Sequence, residues 1–217
     1  MKKPKPDGSM EGPHGMKAFA KTLVSLYTLG KDAARFAVAS FAADATTRVT
    51  WSYDASAINA GIDQMSADGK TSISDGLEAA GQLFASSRPG ATKIVLLVSD
   101  GEQTVDAAPG KTLQETAVDA SAVVKRLGAT VFAWGFGGKV SSMTVQQIAT
   151  DSSKAIVARD IAELTNYLYL VALHTPTDVV RAPRDDEDVF EPGFELDTEE
   201  HKQWLEKWRD EEDDGED

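Results

Sequence analysis

The sequence predicts one α/β domain on a doubly wound, mostly parallel sheet with helices on both faces, followed by an acidic segment. Three observations predict it. Residues 94–98, IVLLV, form a continuous apolar run, as a strand covered by helices requires. Stripes of apolar residues at helical spacing alternate with such runs through short connections, the pattern of right-handed crossovers that cover both faces of a sheet. A chain of 217 residues with 41% apolar side chains can bury one substantial core.

Taken in order, Met16, Phe19, Ala20, Leu23, Leu26 and Tyr27 recur at three- and four-residue steps, which predicts a first helix closing near Gly30. RFAVASF, residues 35–41, and TTRVTWSY flank the turn-like AADA and read as two paired strands, the second at an edge. Ala57, Ile58, Ile62 and Met65 predict a short helix ended by SADGK. Ser72 and Asp75 have capping-box spacing before the stripe Ile73, Leu77, Ala80 and Phe84, which RPG stops. IVLLVSD then delivers Asp100 to the sheet edge. Leu113, Ala117, Ala120, Val124 and Leu127 mark a further helix, TVFAWGFGG a second buried strand and Met143 to Ile148 a short helix. AIVA reads as a short strand, and Asp160 with Glu163 as the cap of a last helix burying Ile161, Leu164, Leu168 and Val171.

These elements divide the chain into a loop over 1–15, the domain over 16–173 and an acidic tail over 174–217, with a short helix near 198–210. The net charge of -13 belongs to that tail: residues 1–173 carry 17 acidic and 17 basic groups, and 174–217 carry 18 and 5. A neutral body with an acidic tail excludes nucleic acid as the expected partner, because phosphate binding needs concentrated Lys and Arg. No apolar run spans a membrane, and MKKPKPDGSMEGPHG lacks the apolar stretch of a signal peptide, so the chain reads as soluble. Without cysteine there are no disulfides, thiolate zinc sites or cysteine nucleophiles.

In open α/β sheets ligands bind outside the carboxyl ends of the strands. Three segments lead there: Asp7 and Ser9 before the first helix, the loop Gly69, Lys70, Thr71, and the turn Ser99, Asp100, Gly101. All their candidate ligands are carboxylate or hydroxyl oxygens, which suit Mg²⁺ and not zinc or copper. The same residue types cap helices and turn chains, and spacing alone favours that simpler role.

IVLLVSDGE, GKTSISDGLEAA, GATVFAWGFGG and QQIATDSSKAIVARDIAEL together resemble a von Willebrand factor A domain, the fold shared with integrin I domains, over roughly residues 7–171. The resemblance implies a metal ion-dependent adhesion site, where Mg²⁺ or Mn²⁺ is completed by an acidic group of a protein ligand. It puts Thr71 at the site's threonine and Asp100 at its second aspartate. It also implies a hydrophobic central strand leading into Asp-x-Ser-x-Ser, and here the chain departs: no such strand precedes the first helix. Ser9 falls at the motif's second serine, Asp7 at its first serine and Lys5, which cannot ligate a cation, at its aspartate. Two origins fit this, a start downstream of that strand or a degenerate domain; in the first case an extracellular or secreted location follows as readily as a soluble intracellular one.

The expected function is therefore non-enzymatic recognition of a protein ligand around Thr71 and Asp100, through a divalent cation at a partial site. The alternatives are a metal-independent scaffold or complex-assembly module and, third, a hydrolase or nucleotide enzyme. His14, His174 and His201 lie outside any strand-anchored Ser-His-Asp pattern, and GFGG is followed by neither a Gly-x-Gly-x-x-Gly nor a Walker motif. Asp75 and Asp106 read as rim acids or solvated caps, and Trp51 and Trp134 as sheet-packing residues. Strands flanking an absent one must close the gap or leave interior backbone groups unpaired, at about 1 to 3 kcal/mol each. Marginal stability follows for residues 1–217, and a cooperative thermal transition well above about 60 °C would contradict it.

Overall fold

The computed structural model describes residues 10–66 and 69–174, with side-chain surroundings as far as residue 169. Helix α1 spans Met16–Ser25 and buries Phe19 and Val24. It stops five residues before Gly30, because the chain turns at Leu26 and then forms a single bridge between Leu29 and Ala34. Strands β1 (Phe36–Phe41) and β2 (Ala45–Ser52) form an antiparallel hairpin, as the apolar runs around AADA predict. Helix α2, Ala55–Asp63, is capped by Asp54, whose carboxylate accepts from the amides of Ser56 and Ala57. Its Ile58 and Ile62 form an apolar cluster with Val24 and Met65 against Phe36, Val38 and Val49 of the hairpin.

Helix α3 (Ile73–Phe84), strand β3 (Lys93–Ser99), helix α4 (Leu113–Arg126) and strand β4 (Ala129–Phe136) follow. Helix α5 (Ser142–Ile148), strand β5 (Ala155–Ala158) and helix α6 (Ile161–His174) complete the described chain. β3, β4 and β5 make a parallel sheet with β4 in the middle, Val95 beside Val131 and Trp134 beside Ile156. Leu97, Val131 and Ala133 face the core formed with Ile73, Leu77, Ala117 and Val124 of α3 and α4. On the opposite face Phe19 of α1 meets Trp134 edge-on, with ring centroids 6.2 Å apart. The result is an α/β fold with a parallel sheet and helices on both faces.

Two expectations need correction. β3 is not a buried strand: among the described residues it pairs with β4 alone, only its Leu97 is buried, and Ile94 is 52% exposed. Its apolar run has the composition of an interior strand, but one flank has no neighbouring strand among the described residues. The expected closure of the gap by neighbouring strands is not seen among the described residues, where β1 and β3 share no ladder. The second correction concerns α3. Ser72 makes no capping bond, because its hydroxyl turns toward that of Ser74 at 3.3 Å, and Asp75 lacks the reach of a Glu. The capping box forms at α4, where Thr112 accepts from the Glu115 amide and Glu115 accepts from the Thr112 amide and hydroxyl. The hydrogen bonds from Thr112 hold the Glu115 carboxyl below the usual glutamate range.

The last helix matches expectation: Asp160 accepts from the Glu163 amide at 2.9 Å, and Ile161, Leu164 and Leu168 are buried. Trp51 and Trp134 are packing residues as expected, Trp51 donating its indole N–H to the Leu83 carbonyl at 2.7 Å. The side chain of Val171 and residues 175–217, with the expected helix near 198–210, lie outside what is described, and His174, expected to begin the tail, is the last residue of α6.

Helix α2 approaches the hairpin through Gly61, where an added Cβ would stand 2.0 Å from Val49 Cγ2 and 3.2 Å from the Arg48 carbonyl oxygen. Only backbone movement could relieve the second contact. Gly61→Ala should therefore destabilise the domain by about 1 to 3 kcal/mol through overpacking, read as a lowered urea midpoint at unchanged slope. An unchanged midpoint would contradict this packing.

Candidate functional site

The carboxyl edge of the parallel sheet is built from two loops that hold each other. The loop before α3 turns at Gly69, whose φ of 88° an L side chain rarely adopts. It then presents Thr71 to the loop that follows β3. The Thr71 amide donates to Thr104 Oγ1 at 3.0 Å, and the Thr104 amide donates to the Thr71 carbonyl at 2.8 Å. One residue on, the Ser72 amide donates to the Ala42 carbonyl at 2.7 Å, which fastens the end of β1 to the same loop.

Below this clasp lies a buried polar contact. Gln103 is 5% exposed; its Oε1 accepts from the Ser74 amide at 2.9 Å, and its Nε2 donates to Ser74 Oγ at 3.0 Å and to the Asp106 carbonyl at 3.3 Å. The glutamine thereby satisfies the first turn of α3, which has no side-chain cap of its own. Asp106 has a φ of 62°, and its role is in the backbone turn that receives Gln103. Ser99 closes the turn at the end of β3, accepting from the Gly101 amide and donating to the Gly101 carbonyl.

Asp100 stands at the outer side of that turn, exposed, with no hydrogen bond or ion pair to its carboxylate among the described residues. Thr71 and Asp100 thus sit on segments joined by the Thr71–Thr104 hydrogen bonds. Asp7 and Ser9 lie outside the described residues. Asp75 occupies the first turn of α3, and His14 is exposed in the loop before α1. Gln103, Ser74 and Thr104 are the residues that sequence reasoning misses. A Gln in a loop without periodicity carries no signal of burial, whereas the alternating Ser72 and Ser74 beside Thr71 do signal a polar contact.

The donors fit a hard cation in kind but not in number. Thr71 and Asp100 offer one hydroxyl and one carboxylate, the Ser72 and Ser74 hydroxyls are engaged with each other, and no three acidic or His residues converge among the described residues. Mg²⁺ requires about six oxygens in near-octahedral order. Behind the turn, Ile73, Leu97, Val140 and Val145 enclose a cavity of about 20 Å³, with Glu102 reaching Thr144 Oγ1 at 3.4 Å on its rim. That space admits about one water and no substrate.

Residues 8–169 match the family model of the von Willebrand factor type A domain. Proximal thread matrix protein 1 from the mussel byssus, solved with a zinc-occupied MIDAS motif, is 26% identical with a TM-score of 0.61, over 72% of this chain and 39% of that one. A von Willebrand factor type A protein from Catenulispora acidiphila is 22% identical with a TM-score of 0.59, over 76% and 39%. The vWF domain of the type V pili tip protein from Porphyromonas gingivalis shares the fold at a TM-score of 0.66 and 13% identity, over 83% and 95%. This chain therefore spans 39% of the length of the mussel and Catenulispora chains. No curated protein matches it. Among the described residues no helix is long and apolar enough to cross a membrane.

Replacing Gln103 by leucine keeps its volume but strips the Ser74 amide of its partner and the Ser74 hydroxyl of one of its two. Gln103→Leu should cost about 1 to 3 kcal/mol and speed amide exchange at Thr104, whose bond to Thr71 depends on the same loop. Native exchange at Thr104 would sink the idea that this contact holds the edge together.

Proposed function

Because the chain belongs to the von Willebrand factor type A domain family, we propose that it is a non-enzymatic module that recognises a protein ligand at the carboxyl edge around Thr71 and Asp100. The observation that carries this reading is Asp100: an exposed carboxylate without a partner among the described residues, set on a turn that Ser99, Gln103 and Thr104 hold in place. A hydrogen-bonded rim whose Asp100 carboxylate has no partner among the described residues favours a basic or hydrogen-bond-donating group of a partner, since that partner need not displace an existing contact. The similar folds of a thread matrix protein of the mussel byssus and a type V pili tip protein support the class of function and not a ligand.

A divalent cation enters this reading as part of the ligand contact and not as a resident group. The mussel protein's zinc indicates that folds of this type accept more than Mg²⁺ or Mn²⁺. In this chain Thr71 and Asp100 would supply two oxygens, so the remaining donors must come from elsewhere. The metal-independent scaffold reading is favoured to that extent.

A displayed peptide library panned on the full chain tests the site. Enriched binders should lose about tenfold or more in affinity with Asp100→Ala and none with Glu78→Ala, an exposed acid on α3. Equal affinity for both variants would remove Asp100 from the recognition surface. Calorimetric titration with Mn²⁺ or Zn²⁺ should show no binding tighter than about millimolar in either; tight binding abolished by Asp100→Ala would restore the resident-metal reading.

A further inference from the structure

We infer that Arg35 and Arg88 form a binding site for a tetrahedral oxyanion, the phosphate or sulfate group of an ester, at the amino ends of β1 and β3. This is the end of the domain opposite Thr71 and Asp100, which follow the carboxyl ends of the same strands. Arg35 immediately precedes β1, and Arg88 lies in the connection from α3 to β3.

The two guanidinium groups converge on the loop before β1. Arg35 Nη2 donates to the Lys31 carbonyl at 3.0 Å, Arg88 Nη1 donates to the same oxygen at 2.5 Å, and Arg88 Nη2 donates to the Ala33 carbonyl at 2.7 Å. Two cations that share one oxygen stand no farther apart than those two bonds laid end to end. Phe36 pairs with Ser52 in the hairpin, so Arg35 comes beside Tyr53, and its guanidinium carbon lies 5.5 Å from the centre of the Tyr53 ring. Tyr53 is 52% exposed and offers a flat apolar surface at the edge of the cluster.

No carboxylate balances this charge: among the described residues neither arginine is in an ion pair. Asp32 is exposed and paired with neither, and the Asp54 carboxylate is taken by the Ser56 and Ala57 amides. Both arginines are partly buried, and Arg35 Nε is buried without a hydrogen-bond partner. Two partly desolvated cations this close repel each other, and a carbonyl dipole compensates little of that. Fastening the loop requires donors and not charge, since a glutamine could serve each carbonyl. An anion is what the pair is suited to. A carboxylate would be filled by the fork of a single arginine, whereas two forks aimed at one place, with Arg35 Nη1 and Arg88 Nε still unbonded among the described residues, suit the three oxygens and double charge of a phosphate or sulfate ester. The Lys31 ammonium, exposed on the same loop and in no ion pair among the described residues, adds to the attraction. Tyr53 would pack the group that carries the ester.

The test is a titration of the isotope-labelled full chain with phenyl phosphate and with inorganic phosphate, against sodium chloride at equal ionic strength, followed by NMR. Amide signals of residues 31–35, 53 and 88 and the Arg88 Nε–H signal should move saturably with both phosphates and not with chloride, while 71 and 100–104 stay in place. Phenyl phosphate should bind about threefold or more tightly than inorganic phosphate, and Tyr53→Ala should remove that difference. Equal affinity for the two would keep the site and make the free oxyanion its ligand. Arg35→Gln, which retains a donor for the Lys31 carbonyl, should weaken either phosphate by about tenfold. Unchanged affinity in that variant would overturn the site, as would shifts that chloride reproduces or that do not saturate. A static Arg88 Nε–H signal in the unmutated chain would overturn it without any variant having to fold.

Discussion

Helix α3 is the joint on which the rest of the structure depends. Its N-terminus receives the end of β1 through the Ser72 amide and the loop after β3 through Thr71 and Ser74. Its middle lies close to the hairpin at Gly76, where an added Cβ would meet the Phe41 ring at 2.7 Å. Its last turn accepts the Trp51 indole N–H at Leu83 and packs Phe84 on Trp51, with ring centroids 5.7 Å apart. Ile73, Leu77 and Phe84 meanwhile belong to the core formed with α4 and the parallel sheet. Two sheets without a common ladder are thus joined by a helix whose apolar stripe and polar N-terminus both serve each of them.

That arrangement explains which parts of the fold were legible in sequence. Periodicity located α2, α4 and α6 because the residues on each stripe, such as Ile58 and Ile62 or Leu164 and Leu168, are buried by neighbours that exist in the chain. It failed for β3 because composition reports the environment a strand is suited to, and pairing decides the one it has. KIVLLVS and ATVFAWGF look equally interior, yet among the described residues only the second has two neighbouring strands. The end of α1 was misplaced for a related reason: Leu26 and Tyr27 continue the apolar spacing, but Tyr27 is used against Phe36 of the hairpin, at 5.6 Å between centroids, after the helix has ended.

The candidate site was legible in its positions and not in its supports. Asp100 and Thr71 could be placed because each follows or precedes a strong periodic element that fixes it at the sheet edge. Gln103 could not, since its importance comes from a separation of 29 residues to Ser74 that no local pattern encodes. The Ser72 and Asp75 spacing misled for the same reason, the α3 amide being taken by a distant side chain in place of a local cap.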